Sequence, residues 1–279
     1  MNATEHRGAL LRVVAGFAIH RTPARLRFAV RAQGWEPIDA NTQSVDPSVI
    51  ADATALASRG FDALLLGLPG YPEVLAQSTA APPALIYVGD ASLLSGHSVG
   101  VCGSRRASDR GLEAAAQVAE VAAELGLTLV AGNARGVDRV AQARAGELRA
   151  SVVAVLPEGV LTTGLSAESL TFPTSQLFAS EFPPRQPWSV GAAMARNKTI
   201  VSLTDALVVI EPGGTGGTYE AAIEGLRRKT AVLLFAPGGV MTDGSDLLRG
   251  KGARVVTTRD DLAAQLGQLS RGRQAMLWT

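Results

Sequence analysis

Ala206-Leu-Val-Val-Ile210 runs directly into Glu211-Pro-Gly-Gly-Thr-Gly-Gly-Thr-Tyr-Glu220, and this junction decides the fold. An uninterrupted apolar run reads as a strand buried on both faces, which is the mark of a parallel sheet. The glycines that follow let backbone N–H groups approach an anion closely. The alanine-rich segment Tyr219–Arg228 then reads as a helix, whose N-terminus favours negative charge. Strand, glycine loop and helix in this order predict a phosphate site built from Gly213, Gly214, Thr215, Gly216, Gly217 and Thr218. The phosphate of a free nucleotide and that of a nucleic-acid backbone satisfy this pattern equally.

Outward from this junction, strands and helices alternate. Upstream, the patterns predict a strand at Val99–Cys102, a helix at Gly111–Leu125 with Gly126 at its C-terminal end, and a strand at Leu127–Ala131. A helix at Val137–Leu148, a strand at Ser151–Leu156, a short strand at Leu177–Ser180 and a helix at Val190–Leu203 follow. Downstream come strands at Thr230–Phe235 and Arg254–Thr257 and a closing helix at Asp260–Leu269. Such alternation implies an α/β fold with a doubly wound, mostly parallel sheet. Residues 8–60 carry apolar positions at three- and four-residue spacing and read as a small helical N-terminal region, with a boundary near residue 60. Pro69, Pro72, Pro82 and Pro83 mark a connector before the strand Leu85–Val88.

Composition narrows the chemistry. With 279 residues of which 47% are apolar, the chain can build a full core without staples. Its single cysteine, Cys102, excludes an internal disulfide framework and reads as buried apolar packing. No run of 18 apolar residues occurs, and Arg12 interrupts the short apolar stretch near the start, so neither a membrane span nor a leader is expected and the cytoplasm is the expected location. The net charge of +1 does not advertise nucleic-acid binding, although a local basic patch is compatible with it. His6, His20 and His97 lack metal-ligand spacing, and no metal or cofactor is expected. A nucleophile elbow and a Walker pattern are both missing from the sequence.

Ligands of a doubly wound sheet bind beyond the carboxyl ends of its strands. Three polar, glycine-bearing motifs are placed there or beside it. They are Gly103-Ser104-Arg105-Arg106, Gly132-Asn-Ala-Arg135-Gly136-Val-Asp138, and Met194-Ala-Arg196-Asn197-Lys198 on the helix before the central strand. Arg105, Arg135, Arg196 and Lys198 are the candidate phosphate ligands, because a guanidinium offers two parallel hydrogen bonds and an ammonium a point charge. Glu220 reads as a first-turn acid complementing the helix dipole; in a hydrolase it would act on a ribose hydroxyl or a leaving base. Asp138 opens the helix after its loop and reads as a cap.

Taken in order, these motifs resemble those of the DprA/Smf family of bacterial DNA-processing proteins. The resemblance covers about residues 60–260. It begins at Tyr71-Pro72 and Pro82-Pro-Ala-Leu-Ile-Tyr-Val-Gly89 and passes through Gly103-Ser-Arg105, Ala131-Gly-Asn-Ala-Arg-Gly-Val-Asp138, Ser180-Glu-Phe-Pro-Pro184 and Arg196-Asn197. It ends at Pro237-Gly238 and Gly244-Ser-Asp-Leu-Leu-Arg-Gly-Lys-Gly-Ala253. It implies that residues 61–279 form a Rossmann-like domain of this type that binds single-stranded DNA, protects incoming strands in natural transformation and helps load a RecA-type recombinase. It further implies a homodimer without enzymatic activity. By position, Arg105, Arg135, Arg196, Asn197 and Lys198 would contact phosphates, with Gly103, Ser104, Gly132 and Gly136 shaping the pocket. The C-terminal winged-helix domain of many family members is not expected here. The 211–218 loop departs from the family pattern and looks closer to that of the LOG phosphoribohydrolases, which bind a nucleoside monophosphate. That second likeness implies either a hydrolase using Arg196 and Glu220 or a non-catalytic sensor of a nucleotide ligand.

Overall fold

Helix starts are set by local chemistry that the sequence carries openly. Thr22 accepts a hydrogen bond from the Arg25 amide (3.3 Å) with Pro23 at the first helical position, and Asp46 accepts from Ser48 (2.8 Å) ahead of Pro47. The computed structural model describes residues 3–41, 46–171 and 175–276. Residues 42–45 of the helical N-terminal stretch lie outside the described residues.

In chain order the first segment holds α1 (Ala3–His20), α2 (Pro23–Gln33), α3 (Glu36–Asn41), α4 (Pro47–Ser58), β1 (Asp62–Leu65), α5 (Glu73–Ala76) and β2 (Ala84–Gly89). Next come β3 (Ser98–Gly103), α6 (Asp109–Glu124), β4 (Thr128–Ala131), α7 (Val137–Glu147) and β5 (Val152–Leu156). Then follow β6 (Gln176–Ser180), α8 (Val190–Leu203), β7 (Ala206–Ile210), α9 (Gly217–Arg227) and β8 (Ala231–Phe235). The chain closes with α10 (Asp243–Arg249), β9 (Arg254–Val256) and α11 (Arg259–Met276).

These elements form two compact units. The first comprises Met1–Ala91 with Leu156–Thr199, and the second Ser92–Val155 with Ile200–Thr279. Residue 60 marks the passage from helices to strands, whereas the units divide further along the chain, because β1 and β2 share a core with the N-terminal helices. In the first unit β1, β2 and β6 pair antiparallel in that order. The Trp35 indole donates to the Leu66 carbonyl (2.9 Å), fastening the α2–α3 corner to the end of β1. Neither β1 nor α10 is among the elements expected from sequence. β1 is a short buried run behind Gly60, and α10 is a single two-turn helix capped by Thr242.

The second unit is the doubly wound part. Its strands follow the order β5-β4-β3-β7-β8-β9, and every registered pair among them is parallel. Alternate residues of β7 go to opposite faces, as the two-residue period of a strand requires. Ala206, Val208 and Ile210 join α6, α7 and α11 on one side, while Leu207 and Val209 join α9 and α10 on the other. Cys102 lies in this second core at 8% exposure. The fold is therefore α/β and Rossmann-like, with mostly parallel strands. Among the described residues no helix is long and apolar enough to cross a membrane.

Candidate nucleic-acid interface

β4, β3 and β7 are neighbours in the second unit and run parallel, so the loops that leave their carboxyl ends lie side by side. The β3 loop is tied to the end of β7 through the Ser104 amide, which donates to the Ile210 carbonyl (3.2 Å). Gly103 must be a glycine there, because a Cβ would sit 2.5 Å from both the Ile210 oxygen and Val137. Ser104 then folds its own loop by accepting from the Arg106 amide (3.1 Å). This turn leaves Arg105 and Arg106 exposed.

The β4 loop leans on the same point. Gly136 adopts φ +80°, and a Cβ on it would meet the Ser104 carbonyl. The Val137 amide donates weakly to that carbonyl (3.4 Å). Asp138, buried at 5% exposure, reaches back to accept from the Gly132 amide (2.9 Å). Its carboxylate therefore closes the loop internally, beyond the helix-start role read from sequence. Arg135 projects from the loop exposed, while Arg139 is engaged by the Asn133 carbonyl (3.3 Å).

The β7 loop is fixed at both ends. Glu211 leaves the strand at φ +47°, a costly conformation for a residue with a side chain. Its carboxylate is held by the Ser108 amide (2.9 Å) and by the Ser108 hydroxyl, which also caps α6 by accepting from Gly111 (3.2 Å). The Thr242 hydroxyl donates to the Pro212 carbonyl (2.6 Å), and the Thr218 hydroxyl donates to the Gly103 carbonyl (2.9 Å). Between these anchors Gly213, Thr215, Gly216 and Gly217 are exposed, and Gly214 is partly so. Both α7 and α9 open on a glycine, Gly136 and Gly216, with no side-chain cap hydrogen bond. Two helix starts of this kind present partial positive charge near two exposed arginines. That combination suits an extended polyanion better than a buried neutral ligand.

The remaining predicted site residues fall elsewhere in the chain's organisation. Arg196, Asn197 and Lys198 lie on the part of α8 that belongs to the first unit. Arg196 is only 3% exposed, with its Nε donating to Asn197 Oδ1 (3.1 Å). Lys198 is exposed. Glu220 stands exposed in the first turn of α9, in the second unit. Two of the anchors, Ser108 and Thr242, are not among the candidates read from sequence, whereas Glu211 is a carboxylate that the sequence places near the site. Ser108 and Thr242 each stand three residues before a residue whose amide they cap, a signal that cap spacing carries. The pairing of Ser108 with Glu211 spans 103 residues of sequence and leaves no local mark.

Comparison with known proteins bears on the family and the fold. The family model for DNA recombination-mediator protein A matches residues 63–267. Protein Smf of Escherichia coli is 30% identical over 205 residues, covering 70% of this chain and 54% of that protein. Protein Smf of Synechocystis is 28% identical over 217 residues, covering 72% and 53%. The chain thus spans about half the length of the curated relatives it matches. Among solved structures, DNA processing protein A of Streptococcus pneumoniae superposes with a TM-score of 0.67 at 22% identity, covering 93% of this chain and 94% of that one. DNA processing protein A of Helicobacter pylori, described in a single-stranded DNA binding mode, gives a TM-score of 0.62 at 20% identity over 74% of this chain and 95% of that one. The chain belongs to the DNA recombination-mediator protein A family.

Proposed function

We propose that this chain binds single-stranded DNA along the carboxyl edge of β4, β3 and β7, and that it serves DNA processing during uptake and recombination. The observation that carries the reading is the mutual fastening of three glycine-bearing loops, which holds Arg105 and Arg135 exposed beside two helix starts without side-chain caps. In this reading the arginines grip phosphates bidentately, and Gly136 and the Gly213–Thr218 segment supply close backbone approach, while Gly132, its amide held by Asp138, shapes the loop. The single-stranded DNA binding mode described for the Helicobacter pylori protein supports it. Delivery of the strand to a RecA-type recombinase, a homodimeric assembly and a cytoplasmic setting belong to the same proposal; Arg196, Asn197 and Lys198, in the first unit, do not.

Fluorescence anisotropy of a labelled oligo-dT tests it. Arg105→Ala and Arg135→Ala should each weaken binding roughly tenfold, the value of one charge-assisted hydrogen bond. Circular dichroism melts should remain unchanged, since both side chains are exposed. Wild-type affinity in both variants would mean that the strand lies elsewhere.

A second reading, a phosphoribohydrolase or nucleotide sensor, is favoured by the Pro212–Thr218 loop, whose glycines are the more LOG-like part of the chain. Release of adenine from AMP, abolished by Glu220→Gln, would support the hydrolase form. No adenine release from the wild-type protein would remove it.

A further inference from the structure

A cavity of about 480 Å³ lies within the first unit, apart from the residues of the strand-edge site. Its volume falls in the range of small-molecule sites. One wall is the start of α2, with Thr22 and Arg27; another is the segment after β6, with Glu181 and Phe182; a third is the face of α8 carrying Ala195 and Lys198. Three chemistries meet there. Arg27, partly buried, and Lys198, exposed, supply positive charge. Phe182 and small residues such as Ala195 supply apolar surface. Glu181, 6% exposed, supplies an acid.

Glu181 is the informative residue. Its Oε2 accepts from the Thr199 hydroxyl (2.9 Å), while its buried Oε1 accepts no hydrogen bond among the described residues. A buried carboxyl oxygen left this way costs stability, and such groups in folded proteins call for an explanation. A ligand bearing N–H donors would supply the missing partner. An anionic group on the same ligand would match Arg27 and Lys198, and a flat apolar body would fill the space beside Phe182.

We propose that this cavity binds one nucleotide unit. Its base would place ring or exocyclic N–H donors toward Glu181, as carboxylates accept from the cytosine amino group, and its phosphate would lie by Arg27 and Lys198. The volume is larger than an amino acid or inorganic phosphate alone would need. The unit comes either from a free mononucleotide or from a strand, and the chemistry is common to both.

Isothermal titration of the full chain with CMP, and separately with ribose 5-phosphate, tests the site. CMP should bind, and ribose 5-phosphate, which lacks the base, should bind at least about tenfold more weakly. Ala195→Trp fills the cavity from an exposed position, and Lys198→Glu reverses its charge; each should reduce CMP affinity by a similar factor. A dC oligomer added to the CMP complex separates the sources: displacement assigns the unit to a strand, and its absence to a free nucleotide. No CMP binding to the wild-type chain, equal affinity for ribose 5-phosphate, or full CMP affinity in folded Ala195→Trp would each overturn the proposal. Failure is separable from that of the strand-edge reading. A chain that binds oligo-dT through Arg105 and Arg135 but ignores CMP refutes only the cavity, and a chain that binds CMP but not oligo-dT refutes only the edge.

Discussion

Glu181 costs the fold something that depends on pH. Burial is the main reason its carboxyl is pushed up from an ordinary 4.5 to about 7; the Thr199 hydroxyl and the charges of Arg196, Arg27 and Lys198 pull it partly back. The folded state therefore holds this proton more tightly than the unfolded chain does. Below about pH 4.5 both states are protonated and Glu181 exacts no ionisation cost. As pH rises toward 7 the unfolded chain releases its proton first, and stability falls; above 7 the loss is complete and constant. The difference corresponds to about 3 kcal/mol across that window. Glu181→Gln cannot ionise, so its stability relative to wild type should rise by that amount between pH 4.5 and 8, measured by urea denaturation. A pH-independent difference would place the carboxylate in a far wetter setting than its 6% exposure suggests.

The three strand-edge loops stand or fall together, because each is anchored on another. Gly136 is the tightest point, with a left-handed backbone and the Ser104 carbonyl where a Cβ would go. Gly136→Ala should cost roughly 1–3 kcal/mol in stability and loosen the β3 and β4 loops at once, so that oligo-dT affinity falls although no DNA-contacting side chain has changed. Thermal melts beside anisotropy would check both halves. The elements that carry these loops were legible in the sequence. β3, β4, β7 and β8 are apolar runs with turn residues behind them, and the helices between them carry alanine-rich apolar stripes. β1 escaped notice because Phe61–Leu66 is a short run directly after a helix, apolar except for Asp62 and with no alternation to give it a face. Its antiparallel pairing with β2 is a tertiary fact that no local pattern encodes. The candidate arginines at strand ends were also legible. The Glu211–Ser108 and Asp138–Gly132 fastenings were not, since a carboxylate that closes a loop has the same sequence appearance as one that faces water.

At the scale of the whole chain, 26 basic residues face 25 acidic ones, and part of the basic charge in the second unit is matched locally. Arg144 bridges Glu120 and Glu147, Arg227 pairs with Glu224, Arg249 with Asp246 and Arg259 with Glu124. A molecule so balanced has little long-range field to steer a polyanion, and its hold on DNA must come from contacts at short range. Those contacts still displace counterions, at about 0.7 per phosphate neutralised on a single strand. If Arg105, Arg135 and one helix start each engage a phosphate, the logarithm of the binding constant should fall against the logarithm of salt with a slope of about −2. Between about 50 and about 200 mM salt, oligo-dT affinity should then drop about 20-fold, far less than for a strongly basic DNA-binding surface. Arg105→Ala should lower the slope to about −1.4 as well as weakening binding, because one phosphate contact is gone. Anisotropy titrations of both proteins at several salt concentrations measure this directly. A slope unaffected by the substitution would show that Arg105 does not touch the backbone, and a wild-type slope near zero would mean that phosphate contacts do not hold the strand at all.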